Sequence, residues 1–369
     1  MCNKIINKEI DNLVSNFKLS INNTVFKDLT HLKTYTIDDS QSVELDDAIS
    51  LEKLSCNYKL WIHIASPSSY IEFESAIDKK ARELISTVYL STNTSYMLPE
   101  LLINNVFSLS QKEKRNSLSL GVIFNEDGSV YFSEIVQSII KVNYRLDYAE
   151  ADELIDYAPK EEEDLSIIST ILQNRKLWRR KLGAIEIIES YGKIVLEGKN
   201  PTLKIIDATL SRQLISEAMI LYGHLISVYT KLNQIPVPYR VQESTIKSAN
   251  CNIEISENNI LSNFLLKKTM GKTYYCINPT RHFSLGLSSY IHATSPIRRY
   301  SDLLVHYQMD RHLNNKSLIS NKVVEGIINE INNLGRQNII KIREDQRFWQ
   351  SKWFECNSFN EYQVILLNW

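Results

Sequence analysis

Glycine and proline are scarce, with 10 and 8 residues in 369. No low-complexity linker interrupts the chain, and no internal repeat is visible. The accompanying wealth of Ile, Asn and Lys resembles the drift of an AT-rich genome, bacterial or organellar, and carries no function. Cysteine is also sparse. Cys2, Cys56, Cys251, Cys276 and Cys356 are scattered, odd in number and without a Cys-x-x-Cys pair. That pattern argues against a zinc site and a disulfide framework. No disulfide-linked partner is expected, and a reducing compartment is, cytoplasmic or organellar and plastid-like. The N-terminus lacks the apolar core of a secretion signal, and no apolar run approaches a membrane span. The chain is therefore read as neither secreted nor membrane-bound. An excess of one charge is missing too: 42 basic residues face 43 acidic ones. Any nucleic-acid path must then be local, built from arginines and lysines gathered on one surface.

What remains is ordinary globular material, with 43% hydrophobic and 23% charged residues, enough to bury a sizeable core. Residues 1–30 predict one amphipathic helix with Ile10, Leu13, Val14 and Phe17 on one face. A strand is predicted over 33–37, followed by a hairpin of 48–54 with 59–65. A helix is predicted over 74–86, then a hairpin of 118–124 with 130–142, turned by Asn125-Glu126-Asp127-Gly128. Helices follow over 149–156 and 164–181, short strands around 184–206, and helices over 211–232, 297–313 and 322–353. Tyr362 to Trp369 reads as a lone strand. The order predicts a mixed α+β domain without regular βαβ alternation.

Five carboxylates crowd one short stretch: Asp38, Asp39, Glu44, Asp46 and Asp47. Both flanks are apolar and strand-like, which places the cluster at a rim of the core. Carboxylates held close stay ionised together only with a cation among them. Oxygen-only ligands favour a hard ion such as Mg²⁺. The alternative is a solvated acidic loop, since charge runs usually face water.

A second segment reads His282-Phe283-Ser284-Leu285-Gly286-Leu287, then Thr294-Ser295-Pro296-Ile297-Arg298-Arg299-Tyr300. Together with carboxylates spaced by six, two and one (Asp38, Glu44, Asp46, Asp47), it closely resembles the catalytic domain of the ribonuclease II / ribonuclease R (RNB) family. The Thr-Ser-Pro-Ile-Arg-Arg-Tyr string is highly specific, and the acidic motif alone moderately so. The resemblance implies an RNB-type α+β fold around a narrow RNA channel. It also implies Mg²⁺-dependent hydrolysis of single-stranded RNA from the 3′ end, releasing 5′-mononucleotides. It divides the chain into a short extension over 1–30, a catalytic domain over 31–354 and a strand remnant over 355–369, with no complete cold-shock or S1 barrel. Oligomeric state is not legible.

The resemblance also assigns roles. Asp38, Glu44, Asp46 and Asp47 match the metal positions, with Asp46 and Arg298 catalytic. A guanidinium fork suits phosphate oxygens and charge that grows in the transition state. Tyr89 matches a tyrosine that stacks on a base near the reacting end, and Tyr148 another on the RNA path. Glu217, inside an apolar helix, matches a glutamate that senses ribose. Arg299 is either a phosphate contact or a structural ion pair. Asp39 reads as a solvated neighbour, Glu344 as a glutamate of the last helix, and His282, His292 and His306 as packing or orienting groups. The run Arg175 to Lys181 either lines the RNA path or forms a solvated face. Two departures, Glu44 for the usual Asp and Ser284 for the usual Gly, favour an alternative: an RNB-like RNA-binding protein with impaired catalysis.

Overall fold

The structure, a computed structural model, describes residues 2–20, 26–157, 159–160, 162–244 and 260–363. Its centre is one sheet. Strands β1 (Lys27–Asp28), β2 (Thr34–Ile37), β3 (Asp47–Lys53) and β4 (Tyr58–Ala65) come first. After a small hairpin, β5 (Val88–Tyr89) with β6 (Thr94–Ser95), come β7 (Lys114–Phe124), β8 (Val130–Lys141) and β9 (Tyr144–Leu146). Seven strands pair in the order β1-β8-β7-β4-β3-β2-β9. The inner pairings are antiparallel, and the two edge pairings, β1 with β8 and β2 with β9, are parallel. Gly128 turns β7 into β8 at φ 82°, where a Cβ would lie 2.4 Å from the Asn174 carbonyl oxygen. Glycine alone fits there.

Both faces of the sheet are covered, so β4 is apolar almost throughout. Trp61 and Ala65 point to one side, Leu60, Ile62 and Ile64 to the other, all fully buried. On the first side pack α1 (Cys2–Ser20), α2 (Ala76–Leu84) and α3 (Glu100–Leu102), which runs into a π turn over Ile103–Phe107. On the second pack α4 (Tyr148–Tyr157), α5 (Asp164–Lys181) and α6 (Leu210–Leu232). Hairpins β10 (Tyr191–Glu197) with β11 (Asn200–Ile206), and β12 (Tyr239–Ser244) with β13 (Met270–Cys276), lie outside the sheet, with α7 (Ile260–Thr269) just before β13. Helix α8 (Tyr300–Leu313) serves both cores, through Leu303 and Leu304 on one side and Val305 and Met309 on the other. A helix buried all round carries no polar stripe. Helix α9 (Asn321–Cys356) buries only Val324, Ile327, Ile328 and Ile331. No described helix is long and apolar enough to cross a membrane.

Most predicted elements lie where the sequence puts them, and the departures have causes. In α1, Ile10 and Leu13 pack on the core, but Val14 is exposed, and the side chain of Phe17 lies outside the described residues. Helix α8 starts at Tyr300 instead of 297 because Arg299 is extended, at φ −134°, and the Ile297 N–H is bonded to a side chain. Strands β12 and β13 escape notice because their pairing spans a long segment. The strand expected over 362–369 falls mostly outside the described residues.

One polar seam crosses the sheet. His63 is fully buried between Ser50 (2.8 Å) and Ser119 (2.7 Å), and Ser119 continues to Ser138 at 2.6 Å. Burial pushes the His63 imidazole down to about 3. The unfolded chain binds this proton near pH 6.5, so the group lowers stability as pH falls from about 6.5 towards 3. Between pH 7 and 5, His63→Gln should lose roughly 2 kcal/mol less stability than the parent. Urea unfolding at the two pH values checks this; equal losses would show that His63 does not carry the effect.

Candidate active site

The connection 38–46, between β2 and β3, is not a solvated loop. Leu45 is buried, its N–H bonded to Ser108 Oγ and its carbonyl to the Leu109 N–H. Ser108 Oγ also donates to the Val43 carbonyl at 2.7 Å. Arg145 Nη2, on β9, donates to the carbonyls of Ser40 (3.2 Å) and Ser42 (2.7 Å). The carboxylates are thus aimed by tied backbone.

Asp46 is 2% exposed. Its Oδ1 accepts from the Ile297 N–H at 2.9 Å and its Oδ2 from Arg298 Nε at 3.3 Å. Glu44 is also buried; Thr87 Oγ1 donates to Oε1 at 2.8 Å, and the Tyr89 hydroxyl donates to Oε2. Asp38 and Asp47 are half-buried. Asp38 accepts from the Asp39 N–H at 2.7 Å and from the Ser42 hydroxyl. Burial raises all four carboxyls, Asp47 to about 7 and Asp46 well above its ordinary value. The charge of Asp38 adds to the effect at Asp47, and those of Glu44 and Asp47 add to it at Asp46. Arg298 is the one cation that lowers all four. Arg299 also lowers Asp47, so two guanidinium groups stand against four buried or half-buried carboxyls.

That donor set fits a hard divalent cation. Mg²⁺ usually keeps several waters and takes one or two carboxylates plus substrate phosphate. Among the described residues Asp47 is the one of the four that accepts no hydrogen bond, whereas Asp38, Asp46 and Glu44 each accept two from protein donors. Among the described residues, no three acidic, His or Cys side chains are grouped to hold an ion unaided.

Tyr89 sits on the β5–β6 hairpin, 46% exposed, beside Arg298. The hairpin is held at both ends. At its base, the Thr87 N–H bonds to the Arg298 carbonyl at 3.0 Å. At its tip, the Ser91 N–H and Oγ donate to Asp345 of α9, at 2.8 and 2.7 Å. Asn338 Nδ2 reaches the Leu84 carbonyl and Ser86 Oγ, both at 3.1 Å. Asp345, and not its exposed neighbour Glu344, is therefore the acid of the last helix that meets the site. The signal was periodicity: Ile331, Asn338 and Asp345 recur every seven residues along one face. Ile85, the C-cap of α2, stands at φ 64°, a strained position for a β-branched residue. Its carbonyl accepts the Tyr300 N–H at 2.8 Å and so fixes the start of α8.

Tyr148 is half-buried under the Arg212 guanidinium, 3.8 Å from its ring centroid, and lies in the field of Asp38 and Asp47. Arg212 Nη2 also meets Asp39 Oδ1 at 2.7 Å, so Asp39 is an ion-pair partner and not merely solvated. Glu217 is buried and doubly bonded by Arg179, at 2.8 and 2.5 Å. The pair floors a cleft of about 320 Å³ that Lys176, Arg180, Arg212 and Glu186 help to line. The basic run therefore splits: Arg175 is buried against Trp178, Arg179 holds Glu217, and Lys176 and Arg180 border the cleft.

Arg299 takes the ion-pair option, with Nε at 3.1 Å and Nη2 at 2.7 Å from the buried Asp302 carboxylate. His306 bonds to the Ala293 carbonyl and His292 to the Tyr275 hydroxyl. Burial holds His282 and His306 down to about 4 and His292 well below its ordinary value, so all three are neutral packing groups. Ser284 has no positive φ and donates its N–H to Gln242, so a side chain is tolerated there. Gly286 is different, at φ 66° with a Cβ that would lie 2.7 Å from the Ala184 nitrogen.

Comparison with known proteins finds relatives of the whole domain. An uncharacterized ribonuclease of Synechocystis is 32% identical over 93% of this chain, which spans 52% of that relative. The chloroplastic/mitochondrial ribonuclease II of Arabidopsis thaliana is 36% identical over 76% of the chain, spanning 36% of that relative. The chain thus spans about half or less of the curated relatives it matches. Among solved structures, Mycoplasma genitalium RNase R in complex with ribose-methylated single-stranded RNA superposes with a TM-score of 0.86 at 22% identity, over 96% of this chain and 62% of that one. This likeness establishes the α+β fold. The family model described as the RNB domain matches residues 26–315, so this chain belongs to the RNB domain family.

Proposed function

We propose that the chain is the catalytic part of a 3′-to-5′ exoribonuclease that hydrolyses single-stranded RNA to 5′-mononucleotides with Mg²⁺. The observation that carries this reading is four carboxyls gathered around Arg298, with Asp47 accepting no hydrogen bond among the described residues. Curated relatives named as ribonucleases support it. Asp38 and Asp47 would hold the cation, and Glu44 and Asp46, each with one donor per oxygen, keep a lone pair on each oxygen with which to join them. When bound, the ion supplies charge neutralisation at the phosphate and a water acidic enough to attack at neutral pH. Asp46 fixes Arg298, whose remaining N–H groups stabilise charge on the phosphate oxygens. Glu44 holds the Tyr89 hydroxyl and so sets the ring on which the terminal base stacks. Glu217 and Arg179 floor the cleft through which the strand would approach. Free thiols at Cys56, Cys276 and Cys356 suit a reducing compartment, cytoplasmic or organellar.

A second reading, RNA binding with impaired catalysis, draws on one observation: both oxygens of Glu44 and of Asp46 are occupied by protein donors. Purified protein with 5′-labelled single-stranded RNA separates the two. Shortening from the 3′ end that requires Mg²⁺ supports the exoribonuclease; binding without shortening supports the alternative.

Three expectations follow from the site. Asp46→Asn should cut turnover by about 10²–10³-fold through loss of a fixed Arg298, with RNA affinity kept or tightened. Unchanged turnover would remove Asp46 from the mechanism. Asp345→Ala should loosen the Tyr89 hairpin and raise KM by up to roughly tenfold, the worth of part of one base stack. Steady-state kinetics would show kcat moving less. Glu217→Ala leaves Arg179 buried and unpaired and should cost about 3–5 kcal/mol in urea unfolding. The milder Glu217→Gln should lower the RNA-to-DNA rate ratio; if the ratio is unchanged, Glu217 is structural only.

A further inference from the structure

The cations around the cleft and site differ in how firmly they are held. Arg179 is locked to the buried Glu217 and Arg299 to the buried Asp302, while Arg298 donates from Nε alone to the buried Asp46 and is reserved for the reacting phosphate. Lys176 is shared between Glu186 and Gln213, and Arg180 lies 3.9 Å from Glu186. Arg212 is held otherwise. Its guanidinium lies over the Tyr148 ring, 3.8 Å from the centroid, yet its anionic partner is Asp39, whose side chain is 55% exposed. An exposed pair of this kind is worth only about 0–1 kcal/mol. Of its guanidinium nitrogens, only Nη2 has a hydrogen-bond acceptor among the described residues. The other donors of the fork are unspent, and a guanidinium fork matches phosphate oxygens two at a time.

Position gives this donor set a purpose. Arg212 lines the cleft beside Glu217, while the ring beneath it lies in the field of Asp38 and Asp47. It therefore stands where a strand in the cleft meets the carboxylates. Asp39 is bound into the same site, because its N–H donates to Asp38 Oδ1. We propose that Arg212 is a substrate-binding residue for an RNA backbone phosphate adjacent to the reacting one, and that the Asp39 carboxylate holds the place of that phosphate until RNA displaces it. The inference rests on the RNA-processing reading and adds a residue and a competitor to it. Arg212 is preorganised by stacking, so phosphate binding spends little on ordering the side chain. Asp39 sets the threshold: an anion weaker than a phosphodiester backbone does not win the exchange.

The test is a binding series with single-stranded RNA in EDTA, where no cleavage occurs, read against salt concentration. Each phosphate contact on a single strand contributes about 0.7 to the slope of log affinity against log salt. Arg212→Ala should make that slope shallower by about 0.7, whereas Arg212→Lys, which keeps the charge, should leave it near the parent value. Asp39→Asn should tighten binding about two- to fivefold, and this gain should vanish in the Arg212→Ala background. Both positions are at least partly exposed, and matched thermal unfolding of the variants confirms that the fold is kept. A parent slope retained by Arg212→Ala overturns the proposal. So does an Asp39→Asn gain of equal size in both backgrounds, which would mean general repulsion and not competition for Arg212. A parent protein that binds no RNA at all would overturn the exoribonuclease reading itself, and this inference with it.

Discussion

One buried carboxylate organises the molecule. Asp46 has almost no access to water, and an unsatisfied charge there would be costly. Its two oxygens are satisfied by a backbone N–H and a guanidinium 251 and 252 positions away in sequence. This contact draws the segment Ser295 to Arg299 out of helix α8 and against the acidic connection. The consequences spread outward. The Arg298 carbonyl, left free by the absence of helix, accepts the Thr87 N–H and seats the Tyr89 hairpin. The first turn of α8 takes its cap from the strained Ile85 instead of from its own side chains. Helix α9 then braces the hairpin from outside through Asp345.

The electrostatics of the site are set more by dehydration than by crowding. For each of the four carboxyls, burial is the largest influence, ahead of any neighbouring charge. The fold holds anions where water solvates them poorly and supplies one guanidinium that reaches them all. Such an arrangement is unfavourable for the free protein and favourable for one that recruits a cation. Violations of the rule that buried charges are paired concentrate at functional sites.

Much of this was legible in the sequence, for reasons that separate the two kinds of information. Alternation in 48–54, 59–65 and 118–142 revealed the sheet because its strands are local hairpins with one turn each. Apolar periodicity revealed the longer helices, most of which bury a stripe, and α8 was visible by being apolar on more than one side. The site residues were named through motif spacing, and Asp38, Glu44, Asp46, Asp47, Arg298 and Tyr89 do gather in one place. What the sequence could not disclose is how those groups divide their hydrogen bonds. The motif marked Arg298 but left Arg299 open between a phosphate and an ion pair, and its turn to Asp302 is visible only in the fold. Nor does it reveal that Glu217 is already paired with Arg179 or that Asp39 meets Arg212, since those partners lie on other elements. The β12–β13 pair was missed for the same reason.

The seam around His63 has a further consequence, for strand alignment during folding. His63 lies opposite Ser119, and Trp61 opposite Gly121, where a Cβ would come within 2.9 Å of the indole. A two-residue shift of β4 along β7 would press Trp61 or Ala65 onto Ser119 and strand a row of hydroxyls in a dry interior. A one-residue shift would turn every core side chain to the wrong face. The polar and bulky pairs thus act as a key that admits a single alignment. That alignment reaches the catalytic end of the sheet, because β3 is read against β4 and Asp47 stands opposite Ile64. Asp46 and Asp47 are successive residues at the start of β3, and both lie in the field of Arg298. A mis-set strand would carry both acids away from Arg298, so fidelity of pairing deep in the sheet decides whether the carboxyl cluster forms at all.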